Sequence, residues 1–126
     1  MVMGVSSYLA KGDSRHKYSE SVSKMLNFIN KKYMLNISLD NVADDVNLHP
    51  NYASSLFKKE NGVSFIQYLN SYRIIKAKAF MKKNPELSLD KIAEMVGYEN
   101  SGHFIKVFKK YCNITPGEFR SKMNFI

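Results

Sequence analysis

Three histidines, one cysteine and eleven carboxylates are the groups here able to move a proton, attack carbon or hold a metal ion. They are scattered. His16, His49 and His103 lie in three separate segments, and Asp44 and Asp45 are neighbours, so a helix would not set them on one face. Cys112 has no second cysteine to pair with, which excludes an intrachain disulfide and a thiolate cluster and fits a reducing cytoplasm. No phosphate-cradling glycine loop, zinc spacing or nucleophile motif occurs. Neither an enzyme nor a cofactor or metal is expected. What does recur in ordered runs is hydrogen-bonding capacity. One run holds Asn51, Tyr52, Ser54, Ser55, Lys58 and Lys59; a later one holds Asn100, Ser101, Gly102, His103, Ile105, Lys106, Lys109 and Lys110. Such sets recognise a surface rather than transform a substrate.

The charge says which kind of surface. The 126 residues carry 19 Lys+Arg against 11 Asp+Glu, a formal net charge of +8. Residues 1–50 hold six basic and five acidic side chains, a net of +1, whereas 58–122 hold thirteen against six, a net of +7. A surplus confined to the well-patterned part of the chain favours a polyanionic partner. The single-sign blocks of disordered nucleic-acid-binding tails are absent. No apolar run approaches the roughly eighteen to twenty residues of a membrane span, so no membrane partner is expected. Met1 to Ala10 lacks the basic stretch of a signal peptide. Residues 1–18 read as a flexible linker or a remnant outside the domain, and 122–126 as a tail.

The elements that must position the two runs repeat. Ser38-Leu39-Asp40 returns fifty residues later as Ser88-Leu89-Asp90, and Val42-Ala43-Asp44 returns as Ile92-Ala93-Glu94. One extra residue then enters the second copy. With the offset now 51, Leu56-Phe57-Lys58-Lys59 matches Val107-Phe108-Lys109-Lys110. Two copies of one supersecondary unit are implied, too few for a solenoid.

The local signals are helical throughout. Val22, Met25, Leu26 and Ile29 follow helical spacing after Ser19 or Ser21, to about Lys32. Ser38 and Ser88 suit N-caps, each with an aspartate in the first turn, and Asn47 and Gly97 suit left-handed C-caps. Pro50 suits a first helical position. Ala53, Leu56 and Phe57 should face inward, as should Phe104, Val107 and Phe108. Each pair of short helices therefore reads as a helix-turn-helix, about 38–61 and about 88–111 within a domain of 19–121. Between them 64–82 reads as one helix, with Phe65, Tyr68, Tyr72, Ile75 and Ala79 as one apolar stripe and Leu69, Ala77 and Phe80 or Met81 on neighbouring faces. Apolar residues around so much of the circumference imply a helix buried against both lobes, with Arg73, Lys76 and Lys78 ion-paired or solvated. Its nineteen residues span about 28 Å. Asn84-Pro85 should close it, and Thr115-Pro116 should open a last helix through Phe119.

An all-α fold of two tandem helix-turn-helix units, with basic outward faces, has double-stranded DNA as its natural partner. Asn51 can pair bidentately with adenine N6 and N7, Lys106 can bind guanine O6 or N7, and Ile105 should meet either a thymine methyl or the other lobe. Ser54, Ser55, Ser101 and Gly102 complete the expected base-reading set. Tyr52, Lys58, Lys59, His103, Lys109 and Lys110 are the expected phosphate ligands, with helix N-termini adding backbone donors. The alternative is a basic helical module that docks an acidic protein or RNA. A helical rod does not enter the narrow major groove of A-form RNA, so that role would need exposed stacking aromatics.

Both copies resemble the AraC/XylS family of bacterial transcription regulators. The likeness rests on Leu39-x-x-Val42-Ala43, His49-Pro50-Asn51-Tyr52, Leu56-Phe57-Lys58-Lys59, Gly62-x-Ser64-Phe65, Tyr68-Leu69 and Arg73-Ile74-x-x-Ala77 in the first copy. In the second it rests on Ile92-Ala93, Val96-Gly97-Tyr98, His103-Phe104, Val107-Phe108-Lys109-Lys110, Thr115-Pro116 and Phe119-Arg120. It spans about 22–120. The resemblance implies seven helices, with the third and sixth in successive major grooves and the fourth as connector. It also implies a cytoplasmic, nucleoid-associated regulator, activator or repressor, a possible RNA polymerase contact, and an N-terminal sensory, dimerisation or receiver domain in a longer protein, of which this chain would be a C-terminal piece. Two departures weaken the first copy: many members have leucine and arginine where this chain has Ala53 and Ser55.

Overall fold

The computed structural model describes residues 17–123. Among them are seven helices and no strand: α1 (Glu20–Lys32), α2 (Leu39–Asp45), α3 (Pro50–Asn61), α4 (Phe65–Lys83), α5 (Leu89–Met95), α6 (Ser101–Cys112) and α7 (Pro116–Met123). The all-α, two-unit architecture expected from the repeat is what the chain adopts. Residues 1–16 and 124–126, which include most of the expected linker and tail, lie outside the described residues. Tyr18 and Met123, at the edges of those segments, pack against the core.

Helix boundaries follow from side chains that satisfy exposed backbone N–H groups. The Ser19 hydroxyl accepts from the Val22 N–H at the start of α1. Ser38 accepts from Asn41 N–H while Asn41 Oδ1 accepts in return from Ser38 N–H, at 3.2 and 2.9 Å. Ser88 accepts from Lys91 N–H at 3.1 Å, and Ser64 and Gln67 form the same reciprocal pair at the head of α4. Each such cap is worth about 1 kcal/mol. The turns between the paired helices need a positive φ, which Asn47 supplies at 57° and Gly97 at 102°. Gly62 and Asn113 end α3 and α6 in the same left-handed way.

The first lobe is α1, α2 and α3, the second α5, α6 and α7, and α4 packs on α3 at one end and on α5 and α6 at the other. One continuous core results, from Val22 and Ile29 through Phe57 and Ile74 to Ile92 and Phe108. Phe65 and Tyr68 of α4 meet Phe57 edge to face, with ring centroids 6.4 and 5.7 Å apart. Two tyrosine hydroxyls find partners as they go under: Tyr68 donates to Asn30 Oδ1 and Tyr98 to Asn70 Oδ1. Burial pushes both phenols well above their ordinary range.

The structure departs from the sequence reading at Ala79, at the connector's cations and at the end of the last helix. Ala79 is exposed, and the residues actually buried alongside Phe65, Tyr68 and Leu69 are Ser71, Arg73, Ile74, Ala77 and Met81. Burial of Leu69, Ala77 and Met81 on other faces is as the sequence implies for a helix wedged between two lobes; Ser71, Arg73 and Ile74 are the additions. Of the two alternatives for Arg73, Lys76 and Lys78, the ion pair is not formed among the described residues. Arg73 donates to the carbonyls of Tyr33 and Leu35, Lys76 lies over the Tyr33 and Tyr72 rings, and Lys78 over Phe108 and Phe119. Finally, α7 runs on to Met123, past the expected end at Phe119.

Candidate nucleic-acid interface

The first exposed run is built on α3. His49 caps it: its Nδ1 accepts from Asn51 N–H at 3.2 Å. Pro50 follows at the first helical position, where a missing N–H removes no helical bond. Ala53 and Phe57 are fully buried, and that fixes the rotation of the helix. The opposite face presents Asn51, Tyr52, Ser54, Ser55, Lys58 and Lys59, all exposed, with Tyr52 at 57%. All six expected first-lobe residues therefore share one accessible surface.

The second run is built on α6 in the same way, with Asn100 as cap: its Oδ1 accepts from His103 N–H at 2.8 Å. Phe104, Val107 and Phe108 turn inward. Gly102, His103, Lys106, Lys109 and Lys110 are exposed. Ser101 and Ile105 depart from expectation, since both are half-buried and Ile105 packs against the core. They lie about 20–60° around the helix from Phe108 at 100° per residue, on the flank that leans inward. Ser101 occupies the register of Pro50, a first helical position, and Ile105 that of Ser54. His103 keeps its ring edge-on to Tyr98, with centroids 5.2 Å apart.

Charge is distributed to suit an anion at these two helices and not at their partners. α2 and α5 have Asp40 and Asp90 in their first turns, whereas α3 and α6 have no acid there and end in Lys58-Lys59 and Lys109-Lys110. The first turns of α3 and α6 thus hold no competing carboxylate, although Glu99, just before the α6 cap, stands beside the head of that helix. A shallow groove of about 510 Å³, lined by Asp90, Glu94, Glu99 and their neighbours, flanks the head of α6. It has carboxylates on its walls and suits no anion. Among the described residues no group of three or more His, Cys, Asp or Glu comes together as a metal site, and no helix is long and apolar enough to cross a membrane.

A family model described as a helix-turn-helix domain, of the AraC type, matches residues 42–122. The chain belongs to the AraC/XylS family. Its members are transcription regulators, and this domain is their sequence-specific DNA-binding part. An uncharacterised HTH-type transcriptional regulator of Bacillus subtilis, YtdP, is 36% identical over 113 residues, which cover 90% of this chain and 14% of that protein. The melibiose operon regulatory protein of Escherichia coli is 32% identical over 116 residues, 87% of this chain and 38% of its own length. The chain therefore spans well under half of either curated relative. Among solved structures, the C-terminal domain of AraT, a response regulator from Geobacillus stearothermophilus, superposes with a TM-score of 0.81 at 34% identity, over 86% of this chain and 88% of that one.

Set beside the family's two-unit plan, the sequence reading missed the two caps of this AraC/XylS domain. His49 entered it only as part of a motif, and Asn100 only as an outward polar residue. The signal was present, because the 51-residue offset aligns the two, and each offers an acceptor immediately before a helix. Arg73 was also missed. Nothing local marks it, since its acceptors are 40 and 38 residues away in the chain.

Proposed function

We propose that one molecule reads an asymmetric duplex site, with α3 and α6 in successive major-groove segments on one face of the DNA. The observation that carries this reading is the connector. α4 is an unbroken helix of 19 residues, about 28 Å long, packed against both lobes. Major-groove segments recur along one face of B-DNA every 34–36 Å or so, and the helices at either end of α4 can reach two of them. In this reading Asn51, Ser54, Ser55, Gly102 and Lys106 approach base edges. Tyr52, Lys58, Lys59, His103, Lys109 and Lys110 hold phosphates. Ser101 contributes its backbone N–H at the head of α6, and Ile105 offers a thymine methyl only the half of its side chain that is not packed. The relatives' greater length supports a longer cytoplasmic regulator with a sensory, dimerising or receiver domain, and its role in transcription supports RNA polymerase as a second partner.

A titration of the monomeric domain against its selected site, with zero, five and ten base pairs inserted between the halves, tests this. Five base pairs turn one half to the opposite face and ten add a full turn of distance, so affinity should drop toward the non-specific level in both cases. Equal affinity for all three duplexes would mean that a single lobe reads DNA.

A further inference from the structure

The two lobes meet at a contact that the repeat does not predict. Asn47 and Gly97 hold the same turn position in the two copies, both with positive φ, but Asn47 is exposed while Gly97 is half-buried. A Cβ on Gly97 would fall 2.8 Å from the Tyr33 carbonyl oxygen and 3.0 Å from both Cζ and Nε of Arg73. The second lobe's turn is therefore pressed against the end of the first lobe's α1 segment, with the Arg73 guanidinium between them. Arg73 Nε donates to Tyr33 O at 2.8 Å and Nη2 to Leu35 O at 2.9 Å, while its Cζ lies 5.1 Å from the centroid of the Tyr98 ring. One planar group thus grips the first lobe by two carbonyls and the second by an aromatic face.

We infer that Arg73, seated against Gly97, is a positioning residue that fixes the rotation of one lobe on the other and so selects the number of base pairs between the two half-sites. This rests on the two-groove reading above. Each base pair turns the duplex by roughly 34°, given about 10.5 per turn, so a small freedom between lobes is enough to blur that selection. Gly97 belongs to the same device. A turn that needed only a positive φ would accept asparagine, as the first copy does at Asn47, but here there is no room for its Cβ.

Two measurements test it on wild type, Arg73→Met, Arg73→Lys and Gly97→Asn, each first checked for helical content and cooperative melting. Methionine keeps the buried stem, and lysine keeps a charge that has no fork for two fixed carbonyls. The first measurement is affinity for duplexes whose half-sites are moved by −2 to +2 base pairs. Wild type should favour one spacing by at least about tenfold. The Arg73 variants should lose about tenfold on that spacing, the scale of one or two buried hydrogen bonds, and should bind its neighbours nearly as well. A uniform loss at every spacing would make Arg73 merely structural and overturn the inference. So would a folded Arg73→Met with the wild-type spacing profile. The second is free of DNA: the distance distribution between spin labels at Asp44→Cys and Glu94→Cys, in a Cys112→Ser background. It should be narrow in wild type and broad in Arg73→Met and Arg73→Lys, and shifted in Gly97→Asn. Equally narrow, unshifted distributions would sink the latch even if the DNA result were ambiguous. Failure of the two-groove reading looks different, because wild type itself would then show no preferred spacing while its label distance stayed narrow.

Discussion

The two recognition helices have the same length, 12 residues, and matching caps, yet they are filled and faced in opposite ways. In the second lobe α6 supplies the bulk of its own core. Tyr98, Phe104, Phe108 and Phe119 form a chain of ring contacts with centroids 5.7 to 5.8 Å apart. In the first lobe Ala53 occupies the Phe104 register, and the missing volume comes from the connector, through Phe65 and Tyr68 against Phe57. Outward, the first lobe offers short polar groups, Asn51, Ser54 and Ser55. The second offers Gly102 and Lys106 in the registers of Asn51 and Ser55. What the duplication has kept is the set of caps and left-handed turns, which fix how the paired helices cross. Buried volume was free to move between elements, and the outward face was free to change its chemistry.

Truncating the second lobe's own core should break that comparison most visibly. Phe104→Ala removes a fully buried ring and should cost about 3–5 kcal/mol in denaturant unfolding. Hydrogen exchange should locate the loss in α5 to α7, with α1 and α2 holding their protection longer. A cost below about 1 kcal/mol would show that α4 supports the second lobe as it does the first, and that the asymmetry of the cores is cosmetic.

The outward faces should differ in kind as well as strength. Asn51→Ala should relax preference at one A·T pair and cost about 1–3 kcal/mol on the best site, with little effect on scrambled duplex. Lys106→Ala should relax preference at a G·C pair in the other half-site by a similar amount. Lys109→Ala should weaken all duplexes alike and make the log–log salt slope shallower by about 1. Fluorescence titrations on matched and scrambled duplexes at several salt concentrations separate these. Equal losses from Asn51→Ala on every duplex would move that residue to the phosphate backbone.

Local information carried the reading of the fold a long way, and where it stopped is instructive. Ser38, Ser64, Ser88, Pro50, Asn47 and Gly62 each act on backbone groups within a few residues, so their roles are written in the adjacent sequence. The repeat added the pairing of the helices, because a copied motif must be folded twice. Arg73 lay beyond reach for the opposite reason. A cation in a helix reads as solvated unless its acceptors are known, and here they are carbonyls of a loop some 40 residues upstream. For Lys76 and Lys78 the reading left an ion pair or solvent open and missed the rings they lie over, since an aromatic face leaves no charge pattern to find. Of the candidate interface, Ser101 was misplaced by one flank, and for Ile105 the structure favours packing over an open face, the second of the two roles its apolar side chain allowed. The 51-residue offset would have corrected Ser101, by aligning it with the half-buried Pro50, but not Ile105, which aligns with the exposed Ser54.

The smallest expected effect concerns the outer helix of the second lobe. At the head of α7, Thr115 N–H donates to Glu118 Oε1 at 2.8 Å and Glu118 N–H donates to the Thr115 hydroxyl at 3.1 Å. The Thr115 backbone bond above all, helped by the Thr115 side chain and by Lys109 and Lys122, holds the Glu118 carboxyl below its ordinary value of 4.5. A carboxyl depressed in the folded state stabilises the fold at pH above its unfolded value, and that contribution disappears as pH falls through the folded one. The α7 cap should therefore loosen in acid, and Phe119, which rests edge-on against Phe108 with centroids 5.7 Å apart, should loosen with it. α1 offers no clean contrast, because Ser19 N–H also bonds a carboxylate, Glu60 Oε1. The contrast lies in Glu118→Gln, whose amide oxygen still accepts from Thr115 but does not titrate. Amide protection in α7, followed by NMR from about pH 6 down to about pH 3, should fall in wild type and stay level in Glu118→Gln. Protection that fell in parallel in both proteins would put the acid-sensitive group elsewhere in the second lobe and leave Glu118 as a cap that any acceptor could replace.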